Sequence, residues 1–452
     1  MRAGVLTVGI TPSHPAPLAG FTARRGDFTR IDTPLEANLA AFADRDGQPV
    51  VLGSVDTLFV GPSVRTAIAE AAGIPARRLV LVATHTHNAP SLAPEIPRLG
   101  PYDPAYGDMV VQRIGEAVRR LIARPGPALS VGHARRHAPF NVNRRRPAWV
   151  LDYSALRHER RLRFGKVIAM APHRDGTVDP TLRCIVLRDA ASAVRAVIWS
   201  FPCHANRYPR PDHVSADFPG LVRNRLRAVF GEACAVLYLP GLAGSAIPDI
   251  PFAAPRSLRD LVGQMLPFNP VLPSFTLESY RAWGEALSQV ALACAGAAGA
   301  VNGGAAVTHR SARSPRVFVG DGAGGCPDIA LDFVRLDFGE TCGVVAMTGE
   351  MVGEWSPILQ PLLPEGWIAT GYLAGPSLYV PTDRLVREGG YEADRFRQVF
   401  GLPGGFVAGL VPIVRRSLDD LSRVDTGFAA TPDWAERPPS APCEAPDAPW
   451  KA

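Results

Sequence analysis

Short apolar runs punctuate the chain at Pro49–Val60, Leu79–Ala83, Ala196–Phe201, Ala233–Leu239 and Gly343–Thr348. Their length and their content of Val, Ile and Leu predict buried β-strands. Between them, apolar residues recur at three-to-four spacing, which predicts helices over Pro62–Ala72, Tyr106–Ala123, Phe218–Phe230 and Leu277–Ala298. In the second of these, Met109, Val110, Ile114, Val118 and Leu121 share one face, with charges between them. Strands alternating with helices predict an α/β fold with a mixed central β-sheet flanked by helices. Ligand sites in such sheets form beyond the carboxyl ends of strands. We expect one large domain over 1–430 and a loosely held, Pro-rich tail over 431–452. The Pro-rich, apolar stretch Pro248–Pro273 is no central strand and reads equally as a surface loop or as a lid.

Composition narrows the function. At 452 residues, 47% hydrophobic and 20% charged, the chain is long enough and apolar enough to bury a sizeable core. No uncharged apolar stretch is long enough to span a bilayer, and Met1–Gly9 reads as a first strand rather than a leader. Cytoplasmic residence is the default expectation. The seven cysteines are odd in number, scattered, and without a Cys-x-x-Cys, which argues against a disulfide framework or a thiolate zinc knuckle. Basic residues are almost all Arg, with Lys166 and Lys451 the exceptions, as in a GC-rich bacterial genome. The net charge of +6 gathers between Arg135 and Lys166. No recognition helix or interleaved aromatic platform accompanies it, so a solvated face or anion groove is expected rather than nucleic-acid binding.

The chemistry gathers where strands end. Leu79–Ala83 runs into Thr84-His85-Thr86-His87, and alternation along a strand points residues i and i+2 to the same face. This is a candidate metal site, although His-x-His also occurs on solvated sheets. A second strand leads into Pro202-Cys203-His204, followed by Ser215-Ala216-Asp217-Phe218-Pro219-Gly220. A third ends in Gly349-Glu350, and Tyr379-Val380-Pro381-Thr382 and Gly389-Gly390-Tyr391-Glu392 lie downstream.

In order and number, these segments resemble the neutral/alkaline (non-lysosomal) ceramidases, a family of zinc-dependent amidases. The likeness begins at Val8-Gly9-Ile10-Thr11-Pro12 and Leu18-Ala19-Gly20-Phe21, passes through Ser54-Val55-Asp56 and Asn143-Arg144, and reaches Tyr391-Glu392. It implies one Zn²⁺ held by His85, His204, Glu350 and Tyr379. It further implies active-site roles for His87 as proton carrier, and for Arg144 and Tyr391 as groups that hold the substrate carbonyl. Zinc accepts such ligands and activates water near neutral pH. Glu354 and His213 stand as rival ligands, and Asp56 as a partner orienting a ligating imidazole or as a turn-former.

The chain departs from that family in two loops. Gly244-Ser245-Ala246-Ile247-Pro248 lacks the family's Asp, whose place Asp249 is expected to take, and Thr370-Gly371-Tyr372 replaces Asn-Gly-Tyr. We expect neither the leader nor the immunoglobulin-like domain of secreted members of that family, and therefore expect a substrate other than ceramide itself. The expected activity is hydrolysis of a linear N-acyl amide, a small-molecule substrate. A metalloesterase or lactonase, and a ligand-binding protein with a structural metal, are the alternatives; oligomeric state stays open.

Overall fold

Apolar side chains alternate between two cores along the central strands. The computed structural model describes residues 1–124, 126–152, 163–251, 272–301, 307–321 and 327–423. On the strand Leu79–Ala83, Val80 and Val82 enter one hydrophobic cluster, while Leu79 and Leu81 enter another. On Val194–Ser200, Ala196 and Ile198 join that first cluster, while Val197 and Trp199 face a third. The first cluster therefore lies between two sheets. The outer faces carry helices. Val64, Ile68, Val110 and Ile114 of Pro62–Ala72 and Pro104–Ile122 cover the larger sheet. Val222, Leu226, Leu287 and Ala291 of Asp217–Phe230 and Leu277–Ala297 cover the smaller one.

Among the described residues the larger sheet has nine strands, ordered Ala3–Gly9, Glu36–Ala43, Pro49–Val55, Leu79–Ala83, Gly366–Leu373, Cys342–Thr348, Ile329–Asp337, Thr308–Gly320 and Gly404–Phe406. Its ladders are both parallel and antiparallel, the mixed sheet that the sequence predicts. The second sheet has five strands, ordered Ala235–Leu239, Val194–Ser200, Thr181–Arg188, Ser130–His137 and Gly299–Val301. A smaller sheet pairs Ala246–Pro248, Asn141–Asp152 and Arg163–His173.

Local chemistry sets the helix ends. Asp103 caps Pro104–Ile122 by accepting from Ala105 N and Tyr106 N, and Thr276 caps Leu277–Ala297 by accepting from Ser279 N. Gly73 closes Pro62–Ala72 in the left-handed conformation. One expected strand is shorter than predicted. Pro49–Val60 stops at Val55: Asp56 N still donates to Glu36 O at 2.9 Å, but the Asp56 side chain rather than its carbonyl accepts from Glu36 N at 2.9 Å, and it also accepts from Arg223 at 2.6 Å. No described helix is long and apolar enough to cross a membrane. Most of the expected lid, and the Pro-rich tail, lie outside the described residues.

Candidate metal centre

Three strands of the two sheets end at one buried cluster. His85 follows Leu79–Ala83, His204 follows Val194–Ser200, and Glu350 follows Cys342–Thr348. Glu350 is tied to Tyr379 through a short parallel ladder in which the two residues face each other. The His-x-His pair does not converge as an extended strand would direct. The strand ends at Ala83, and His85 sits at φ 61°, a left-handed conformation that costs a non-glycine residue about 1–3 kcal/mol. That turn brings its ring edge-on to His87 at 5.0 Å and to His204 at 4.7 Å.

The protonation of the two inner imidazoles follows from their outer partners. His85 Nδ1 lies 2.9 Å from Leu58 O, and His204 Nδ1 lies 2.9 Å from Ala243 O. A carbonyl only accepts, so each Nδ1 carries the proton and each Nε2 presents a lone pair. Those lone pairs face each other at 3.1 Å, and both face Glu350 Oε2, at 3.2 and 3.1 Å. Tyr379 Oη is 3.3 Å from His204 Nε2. Electron-rich atoms crowded in a buried site repel one another unless a cation lies among them. Ligand atoms around a tetrahedral zinc lie about 3.3 Å apart, so the spacing suits such an ion. His87 completes a group of three buried histidines whose nitrogens fall within 4.8 Å of one another and can hold a metal.

Electrostatics agree with the tautomers. Burial, reinforced by Arg144, pushes His204 down to about 4, so its ring is neutral at neutral pH. Burial, with His85 and His204 adding to it, holds His87 well below its ordinary value. Burial opposes ionisation of Glu350; protons on His85 and His204 outweigh it and keep the carboxyl below the usual carboxylate range, a part that falls to a cation once both Nε2 atoms turn lone pairs inward. Burial pushes the Tyr379 phenol well above its ordinary value, while Arg144 pulls the other way.

Around this centre lies a polar frame. Arg144 Nη2 donates to Tyr379 Oη at 2.9 Å and to Gly244 O at 2.8 Å, and its Nε donates to Glu392 at 2.8 Å. Arg145 holds the other Glu392 oxygen at 2.8 Å. The Tyr391 ring packs edge-on to Tyr379 at 5.5 Å. His87 is oriented by Gly20 O, 3.1 Å from its Nδ1, while its Nε2 is buried with no partner.

Several sequence expectations need correction. Glu354 is no rival ligand: Ser245 Oγ donates to it at 2.6 Å and Asn143 Nδ2 at 3.0 Å. His213 pairs with Asp32 at 3.0 Å, outside the histidine group. Asp56 does not orient an imidazole; its partner is Arg223, and Leu58 O takes that role for His85. Asp249 does not replace the missing loop Asp, because Arg174 binds both its oxygens at the surface. Ser245 instead ties its loop to Glu354 and to Gly353 N. Two residues were given no role by the sequence. Tyr372, at φ 63°, packs its ring 4.4 Å from His85 with its hydroxyl buried and unpartnered. Arg24 donates to His87 O at 2.9 Å. No periodicity marks either of them.

No protein-family model and no curated sequence matches the chain. Solved structures do. The neutral ceramidase from Pseudomonas aeruginosa superposes with a TM-score of 0.64 at 16% identity, covering 91% of this chain and 76% of that one. A ceramidase complexed with C2 gives 0.62 at 14% identity, covering 87% and 71%. The chain thus has a ceramidase-like α/β fold, and identities this low speak for the fold alone.

Proposed function

We propose that this protein is a zinc-dependent hydrolase of linear N-acyl amides. In this reading His85, His204, Glu350 and Tyr379 hold the ion, and His87, Arg144 and Tyr391 serve the reaction. The observation that carries it is the meeting of two carbonyl-locked imidazole lone pairs and a carboxylate oxygen at 3.1–3.2 Å, beside the unpartnered Nε2 of His87. A divalent ion there supplies Lewis acidity and makes water nucleophilic near neutral pH.

The chain's own groups have distinct tasks. His87, with Nδ1–H donated to Gly20 O, offers Nε2 as a base. Its lowered pKa keeps that nitrogen unprotonated at neutral pH, ready to take a proton from attacking water and pass it to the departing amine. Arg144 is committed on two nitrogens, so its task is to favour negative charge on Tyr379 Oη. Burial keeps Tyr391 protonated, and its hydroxyl serves as donor to the carbonyl oxygen as charge develops there.

Metal analysis of the purified protein, joined to a panel of N-acyl amides and matched esters, tests this reading. We expect stoichiometric zinc, turnover of amides, and loss of turnover on chelation with recovery on zinc addition. A zinc-loaded protein that leaves every amide intact defeats the proposal, and one that cleaves esters alone moves it to the esterase alternative.

A further inference from the structure

His87 is clamped from two sides. Its Nδ1 faces Gly20 O at 3.1 Å, and its main-chain N–H donates to Ala205 O at 3.0 Å. Each clamping segment continues into an arginine, Arg24 on one side and Arg207 on the other. Arg24 turns Nη1 back on the main chain, donating to Ala19 O at 2.7 Å and His87 O at 2.9 Å. Its Nε and Nη2 are buried without a hydrogen-bond partner. Those two nitrogens share one edge of the guanidinium, the edge that grips a carboxylate through two parallel hydrogen bonds.

Arg207 repeats the theme. It donates to Pro273 O and stacks over Phe275 at 5.3 Å, while its Nε is buried and unpartnered. Asp212 and Asp217 act on these arginines only through space, and among the described residues no ion pair reaches either. Burial pulls both guanidinium groups down to about 10. Buried cations are normally paired, so the unpaired Arg24 edge beside His87 is a cost to the folded chain that a bound anion removes.

The geometry points to a substrate whose amine half carries a carboxylate, an N-acyl amino acid, with the Arg24 Nε–Nη2 edge beside His87 as its anion site. This rests on the hydrolase reading, in which His87 delivers the proton to the departing amine; groups flanking His87 therefore address that half of the molecule. Phe21, 39% exposed, lies 4.8 Å from the His87 ring and 5.0 Å from the Arg24 guanidinium, so an apolar ring borders the same spot.

The test compares N-decanoylglycine with N-decanoylethanolamine, which share an acyl chain and differ in charge. For the zinc-loaded enzyme, kcat/KM favours the glycine conjugate by about 10- to 100-fold, the range of a charge-assisted hydrogen-bond pair. Arg24→Gln removes most of this preference, read as the ratio of the two kcat/KM values within one variant so that any loss through the bond from Arg24 to His87 O affects both conjugates alike, and Arg24→Lys restores part of it. Calorimetric binding of both compounds to a His87→Ala protein, with and without Arg24→Gln, gives a second readout independent of turnover. Equal hydrolysis of both compounds, or Arg24-independent binding, overturns the anion site and leaves the hydrolase standing. Arg24-dependent binding of the glycine conjugate with no hydrolysis by the parent enzyme keeps the anion site and discards the hydrolase.

Discussion

The two halves of the larger sheet follow one plan and end in different chemistry. In the first, Ala3–Gly9, Glu36–Ala43 and Pro49–Val55 pair antiparallel, and the chain crosses through the helix Pro62–Ala72 to the parallel strand Leu79–Ala83. In the second, Thr308–Gly320, Ile329–Asp337 and Cys342–Thr348 pair antiparallel, and the chain crosses through the helix Ser356–Leu359 to the parallel strand Gly366–Leu373. The two crossover strands meet antiparallel at the middle, Val82 opposite Leu373. Each half sets an acid just past its third strand, Asp56 in one and Glu350 in the other. Asp56 is neutralised by Arg223 at 2.6 Å, whereas Glu350 faces two imidazole nitrogens. Topological position delivers a buried carboxylate, and its neighbours decide whether it braces the fold or faces the candidate metal centre.

Exchanging the roles of the two acids breaks the comparison most sharply. Glu350→Gln should weaken zinc binding by more than about 100-fold, measured by competition with a chelating dye, since it removes the carboxylate that faces the inner nitrogens. His87→Ala, in the first half, should retain zinc and lose about 10²- to 10⁴-fold in kcat, the usual worth of a positioned proton carrier. Equal activity removes that role. Asp56→Asn should keep its metal and lose about 2–4 kcal/mol of stability in denaturant unfolding, because Arg223 is left with a weakened buried partner.

Acid sharpens the contrast through the histidines. His204 and His309 are each lowered to about 4, chiefly by burial. In the unfolded chain they protonate near the ordinary ~6.5, so below that value the unfolded state binds more protons than the native one. The metal-free protein should therefore lose stability progressively from about pH 6.5 to about pH 4, as thermal melting across that window checks. The smallest effect should come from Tyr372→Phe. Its hydroxyl has no partner to lose, so stability should shift by less than about 1 kcal/mol. A larger loss reveals a partner for that oxygen in solution.

The sequence made the strands and helices legible because apolar periodicity is the direct trace of burial. Leu79–Ala83 carries two cores on its alternate faces, so its whole length reads as apolar. The convergence of His85, His204 and Glu350 was legible through the family resemblance, while the strand pattern alone gave only that a site forms where strands end. The second sheet was not legible, because alternation tells that a face is covered without telling what covers it. Nor were the fates of Asp56 and Glu354. Their partners, Arg223, Ser245 and Asn143, lie far away along the chain and carry no pattern that announces the meeting. The likeness between the two halves is equally silent, for matching topology requires matching hydrophobicity and not matching residues.

The outer nitrogens of His85 and His204 rest on the main-chain oxygens of Leu58 and Ala243. Exchanging the side chains at 58 and 243 leaves those oxygens in place, so the supports are out of reach of ordinary point mutation. Anyone retuning the candidate centre toward a given ion has to change the proposed ligands themselves or bend the two loops. That makes the centre a durable platform on which other parts of the pocket are free to diversify.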